Sequence, residues 1–576
     1  MPMSILNKNT VNHKLNYIMK MNLLKLTIFL FPVLIFSQNE IKKENLSKRD
    51  IIYWDYNKTK VQSAGSYYID QFGETKEKHG EWKYYDKYGI LEEERNYYRG
   101  KLDGKVALYF PNGQLKQEGY FKLDQQDSIY REWNENGTLA VEGKFEKDIQ
   151  KGVWTYYYID GRKKSHEKHE DDINQVLDFW LENREHTQTI KDGEGEMITF
   201  HTTGTIKENY TYKNGLPNGP FTETSIYGYD LLSGNFKDGE KDGEWKYFYY
   251  TGDLEKISHY KNDKLEGSYL YYYDNGTVNV KGQYKNDKKD SIWEWFTNKG
   301  TPDMRGNFVE DLQDGEWNYW YPTGEKSYVA YFDKSLKTGE WTYWYKDGTV
   351  FKKGNFSNDL KDGRWQTWYE DGTLLMFGKY IAGKEDGVWE NYWENGNLKN
   401  KATFKTGELN GVWKSFFPDG KIMIEGKYKN NFKTSRWTEY FSNGMTKEVI
   451  TYKVIEHKPV MNYGVTKDHK IIESVRHGKY QSYSLKDFKL TEEGTYYKNE
   501  KHGQWKAYYP GGLIVAVETN YNKGELDGPM KEFTRRGEIT TEINYAKGVK
   551  HGNFIIYGAN KKIISKKVFS NGTQVR

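Results

Sequence analysis

At 576 residues the chain is too long for one ordinary compact core, and 86 Lys and Arg against 82 Asp and Glu exclude the one-sided basic footprint of a nucleic-acid binder. The absence of cysteine excludes disulfides, thiolate metal sites, a Cys nucleophile and a lipid-anchored N-terminal Cys. Only 36% of residues are hydrophobic but 17% are aromatic, so rings must supply the buried surface, a composition that suits pleated sheet.

The chain opens on an address. Lys20 and Lys25 precede an apolar run from Leu26 to Phe36, and Ser37 and Gln38 follow it. A basic flank, a short apolar run and a small exit residue predict a secretory signal peptide over 1–37, with Met19 or Met21 as an internal start and cleavage between Ser37 and Gln38. A membrane anchor is the rival reading; it needs about 20 apolar residues, more than the run supplies. Residues 38–50 read as a polar linker. Residues 51–79 carry strand-like aromatics off the later register and read as an N-terminal cap, since terminal units of a stacked array are commonly atypical.

From Gly80 onward a period governs everything. Counting from the Gly that opens each unit, 19 units recur, nearly always 24 residues apart. The stretch Gly315-Glu316-Trp317, repeated as Gly339-Glu340-Trp341, is typical. Two residues in comes an aromatic or large apolar side chain, five in another aromatic, and nine in a Gly, often as Asn-Gly or Asp-Gly. An aromatic segment, such a turn and a second short segment form a β-hairpin signature, with the Gly supplying a positive φ. The second segment carries its own Gly, as at Gly354 and Gly426, which marks a bulge or a close approach by a neighbour. A polar connector such as 357–362 leads to the next unit. Positions two and five cannot share a face under strict alternation; either a bulge intervenes or both faces carry rings.

These units cover 80–162, 195–453 and 478–576, the last with a C-terminal cap. Two gaps of 43 residues interrupt them, from Gly152 to Gly195 and from Ser435 to Gly478. In the insertion 163–194, Ile173, Val176, Leu177, Trp180 and Leu181 fall at helical spacing behind Asp171 and Asp172, which predicts a helix near 171–184. The insertion 454–477 has no clear period. The expected fold class is all-β: an elongated, twisted array of antiparallel β-hairpins with one short inserted helix.

Motifs for chemistry are scarce. His166-Glu167-Lys168-His169-Glu170 lacks the one-turn spacing of a metalloprotease helix. The recurrent Asp-Gly pairs lack the spacing of calcium-binding β-rolls and are explained by turn chemistry. No nucleophile elbow, phosphate loop or dinucleotide fingerprint occurs. The reading therefore names no catalytic residue, cofactor or metal. Rings that recur in every unit are expected to form the core. Tyr271, Tyr273, Tyr319, Trp320 and Tyr321 are the candidates for an exposed binding surface.

The units at Gly339–Gly348 and 426–431 resemble the MORN repeat, most closely its bacterial variant known from YwqK-type antitoxin proteins. The Trp-rich opening departs from the usual Tyr-x-Gly start of that unit. The resemblance implies a non-enzymatic scaffold of stacked hairpins that binds proteins or, in some eukaryotic members, membranes, and the antitoxin members imply a toxin partner. Together with the signal peptide, the expectation is an exported scaffold (periplasmic, cell-surface or secreted) that binds another protein. The alternative is a carbohydrate or cell-envelope binding module that uses exposed aromatics. No nucleic-acid partner is expected.

Overall fold

The computed structural model describes residues 41–170, 173–457 and 470–576. The signal peptide with its Ser37/Gln38 junction lies outside them, as does part of the 454–477 insertion. The chain divides into two units, one ending at Gly276 and the other beginning at Thr277. Each is built of antiparallel strands joined by tight turns, and the described residues hold no α-helix, only the short 3-10 turns Lys43–Asn45 and Ala559–Lys561.

A regular step is clear in the second unit. The strand Leu336–Trp344 pairs with Val350–Ser357, which pairs with Leu360–Trp368. The turn between the first two holds Gly348 at φ 88°, with the Tyr345 N–H donating to the Thr349 carbonyl at 2.8 Å. This is the turn that Asp-Gly predicts. The polar connector is a hairpin turn too: Asn358 and Asp359 lie at φ 47° and 66° between the paired Ser357 and Leu360. Two consecutive left-handed residues match the twist of flanking strands, the geometry that Asn and Asp tolerate best. Neighbouring connectors are tied together, because the Lys337 N–H donates to Asp359 Oδ1 at 2.8 Å.

The question of faces resolves in favour of rings on both. Trp341 is buried, while Trp344, three residues on, lines a shallow depression with Glu316, Tyr331 and Glu340. The register shifts between Tyr343 and Trp344, so the bulge lies at the turn end of the strand.

The inserted helix is not there. Ile173–Trp180 is a strand, paired with Lys163–Glu170 on one side and with Gln188–Lys191 on the other; Asp171 and Asp172 lie outside the described residues. A short apolar run does not distinguish helix from strand by spacing alone. Here two open strand edges supply backbone partners along its length, and Phe179 and Ile190 enter a core cluster with Tyr210, Phe221 and Trp245. The first gap is thus filled by one more hairpin of the same sheet. The second gap lengthens a hairpin instead: Thr446–His457 stays paired with Ile471–Tyr483 as far as His457 and Ile471.

The described part of the 38–50 segment is docked rather than free. Leu46 bridges to Tyr68, and Ser47 is buried, its Oγ accepting the Tyr67 N–H at 2.8 Å. The cap strand Val61–Asp70 then repeats the packing of the later units, with Gly65 beneath Trp82.

Candidate functional site

The framework must be separated from what is free to bind. The glycine in the second strand of a unit is a seat for an indole. A side-chain carbon at Gly354 would fall 2.2 Å from the Trp365 ring, and the same holds at Gly143, Gly234, Gly378 and Gly494 for Trp154, Trp245, Trp389 and Trp505. The close approach is therefore by a ring. The ring is fixed by a hydrogen bond, the Trp365 Nε1–H donating to the Asn355 carbonyl at 3.1 Å.

Each indole meets the rings on either side of it. Phe356 lies 5.0 Å from Trp341 and 5.2 Å from Trp365; Tyr380 lies 6.0 Å from Trp365 and 4.9 Å from Trp389. Most of these contacts are edge-to-face, the arrangement that ring quadrupoles prefer. A lysine closes the open side: Lys361 Nζ is 4.7 Å from the Trp365 centroid and 4.8 Å from Tyr380. Lys241 does the same over Trp245 at 4.2 Å, and burial there pulls its ammonium down to about 8. Trp365 and Trp245 are thereby buried within the sheet, between neighbouring rings and a lysine stem.

The five aromatics singled out in the sequence are all half-buried. In the first unit, Tyr271 reaches Glu255 at 3.4 Å, and burial raises its pKa. Tyr273 opens a turn, its carbonyl accepting the Gly276 N–H at 2.9 Å. In the second unit, the Tyr319 ring stacks on Tyr328 at 4.0 Å, which continues to Tyr343 at 5.3 Å. Burial holds the Tyr343 hydroxyl up at about 12. The Tyr321 hydroxyl donates to the Trp344 carbonyl at 2.8 Å, and Tyr345 repeats that bond to Trp368 at 2.9 Å. Trp320 is the strand-end ring, in register with Lys326. Tyr271 and Tyr321 join their hairpins to a neighbouring one, and Tyr319 does so through Tyr328.

The exposed rings lie elsewhere. In the first unit Tyr227 is 73% exposed, Tyr250 65% and Tyr229 53%. They occupy two neighbouring turns, 225–229 and 249–253, closed by the Ser225 N–H donating to the Tyr229 carbonyl and the Tyr249 N–H donating to the Asp253 carbonyl. The Tyr227 and Tyr250 rings meet edge-on at 6.5 Å. Ser225 is buried beneath them and its Oγ accepts the Tyr229 N–H at 3.1 Å, while Thr251 and Asp253 bond to each other at 2.8 Å. Sequence reasoning missed this cluster because it weighted rings by their place in the repeat. The available signal was the opposite one: Tyr227 precedes the turn glycine, Gly228, where most units carry Asn, Asp or Lys, and Tyr229 follows it, where Thr is commonest.

The cluster offers flat apolar rings, three hydroxyls and nearby carboxylates. Among the described residues no group of three His, Cys, Asp or Glu is placed to hold a metal ion. In the His166–Glu170 stretch, His166 Nδ1 lies 2.8 Å from Asp178, Glu167 accepts from Ser165 at 2.9 Å, and buried His169 packs against Trp154. Those groups follow alternate faces of one strand and do not converge.

No curated protein matches the chain. Among solved structures it is similar to the crystal structure of TcdB2-TccC3, with 11% identity, a TM-score of 0.12, and coverage of 86% of this chain and 29% of that one. It is likewise similar to a Photorhabdus luminescens Tc holotoxin pore structure, with 10% identity, a TM-score of 0.13, and coverage of 88% and 30%. The chain spans less than a third of the length of either. The MORN repeat variant family matches at residues 102–123, 193–214, 241–262, 265–286, 337–358, 385–406 and 409–430. At seven of its steps the recurring hairpin of this chain is similar to the MORN repeat variant.

Proposed function

We propose that this chain is a non-enzymatic, exported scaffold that binds a protein partner through the turns of its β-repeats. The observation that supports this most is the division of the aromatics. The rings that recur hold hairpin to hairpin, while Tyr227, Tyr229 and Tyr250 stand exposed side by side. Large amphipathic rings with few rotatable bonds are the side chains that dominate binding energy at protein interfaces. Repeat arrays offer extended surfaces on which such anchors can be placed. A toxin-like protein is one partner that the antitoxin resemblance suggests.

The test uses affinity capture from cell-envelope fractions with the full chain and a Tyr227→Ser/Tyr250→Ser variant. A specific protein retained by the first, lost by the second, with equal thermal stability, is the expected result. Equal capture by both places binding elsewhere, and no enriched protein counts against the scaffold reading. N-terminal sequencing of the exported chain is expected to begin at Gln38. Exposed rings flanked by carboxylates also suit saccharide stacking; glycan-array binding that is lost in the same variant, with no protein captured, would favour that second reading.

A further inference from the structure

One set of rings in the second unit is the exception to the packing described above. Trp320, Trp344 and Trp368 end the strands Leu312–Trp320, Leu336–Trp344 and Leu360–Trp368, so an indole stands at the same place in three consecutive hairpins. Tryptophan occupies that place in only one other unit, at Trp133. A core indole such as Trp365 has edge-on ring neighbours and donates its N–H to a carbonyl. The three strand-end indoles are half-buried, and among the described residues they meet no other ring and donate to no acceptor. Their N–H groups are not buried either, so they face solvent.

Beside the middle indole lies the depression of about 450 Å³ that Trp344 lines with Glu316, Tyr331 and Glu340. Lys326 Nζ stands 5.6 Å from the Trp344 ring centroid. The carboxylates are already oriented. Glu316 accepts from Asn318 Nδ2 at 2.8 Å and from the Tyr331 hydroxyl at 2.9 Å, bonds that hold its pKa below the ordinary value. Glu340 Oε1 lies 2.8 Å from Lys353 Nζ. A carboxylate has about four lone-pair sites, so both keep acceptor capacity. Adjacent hairpins are two strands apart, which places successive indoles about 10 Å from one another. Sheet twist turns each by about 45° relative to the last.

From this spacing we infer that the three indoles bind a single chain of a linear, neutral β-1,4-linked glycan. A pyranose offers a face of C–H groups to an indole and a rim of hydroxyls to polar side chains. In an extended β-1,4 chain every second sugar turns the same face outward, and two sugars are about as long as one hairpin step. Glu316 and Glu340 accept the hydroxyls between stacked sugars, and Lys326 donates to them. A nucleic acid could stack on the same rings, but its phosphates would meet those carboxylates. A single glycan chain turns at each glycosidic bond and can follow the sheet twist, which a flat crystalline face of packed chains cannot. The site is separate from the Tyr227 cluster, and the inference stands whether or not that cluster binds a protein.

The test is calorimetric titration of the full chain with cello- and chito-oligosaccharides of two, four and six sugars, with α-linked maltohexaose as the control. Affinity should rise on the order of 10-fold for each further indole spanned. Maltohexaose should bind at least about 10-fold more weakly than a β-linked hexasaccharide. Binding by either series supports the site, and the series that binds identifies the sugar. Trp344→Ala should weaken the hexasaccharide about 10-fold or more. Trp368→Ala should abolish the gain from four sugars to six and leave the disaccharide unchanged, a pattern that general loss of structure would not give. No binding by either β-linked series, affinity independent of chain length, or equal binding of maltohexaose overturns the assignment. So does binding that survives Trp344→Ala but is lost in the Tyr227→Ser/Tyr250→Ser variant.

Discussion

Gly354 and Glu167 occupy the same place in their repeats, 15 residues after the opening Gly339 and Gly152, and the fold treats them in opposite ways. At Gly354 an indole lies on the backbone, its nearest ring atom 2.2 Å from where a side chain would begin. At Glu167 the facing residue is Val176, where Gly354 faces Trp365. With no ring to seat, the position admits a carboxyl group, and burial raises the pKa of that group while Ser165 opposes the rise. The lesson is that a position with little or no side chain is called for by the neighbour's tryptophan and not by the strand. Ala330 and Ala402 mark the intermediate case. Trp341, opposite Ala330, stays buried, whereas Trp413, opposite Ala402, is only half-buried.

The comparison is broken most severely by removing the ring. Trp365→Ala should cost ~3–5 kcal/mol, as for other buried tryptophans, and should raise hydrogen exchange in Leu360–Trp368 and both neighbouring strands. If only the mutated strand is affected, the rings do not couple the units. Gly354→Val leaves the ring and removes its seat. We expect a loss of about 2–3 kcal/mol from overpacking and red-shifted tryptophan emission; the same substitution at a glycine with no ring above it should not shift the emission.

Glu167→Gln sharpens the other side. Because burial raises the folded-state pKa above the ordinary glutamate value of 4.5, the native protein holds the proton more tightly than the unfolded chain. Stability from this group is full below about pH 4.5 and declines as pH rises through the folded value. The amide should remove that decline and raise stability at neutral pH by about 1–2 kcal/mol. His169 has the opposite sign: burial lowers its pKa from 6.5, so its contribution fades as pH falls below that value. The variant should therefore lose stability only on the acid side, followed by exchange of Lys163–Glu170 across pH; a profile identical to wild type would show that Glu167 is solvated.

The smallest effect is expected at the turn. No atom lies within 4 Å of a side chain added at Gly348, so only its φ of +88° resists substitution. Gly348→Val should cost about 1–2 kcal/mol from the left-handed backbone, less than the same change at Gly354. Equal losses at the two positions would remove the distinction between a turn glycine and a ring seat.

The period, the two strands per unit and the glycine turns were legible in the sequence because they depend on local backbone chemistry repeated many times. Strand identity for Ile173–Trp180 was not, since an eight-residue apolar run fits either helix or strand until neighbouring edges offer their hydrogen bonds. Nor was the exposure of individual rings. Tyr319 and Tyr227 are the same residue type within the same kind of hairpin, but one stacks on Tyr328 across a strand pair and the other stands on a turn. Burial depends on which side chains arrive from adjacent units, and that is settled only when the strands come into register.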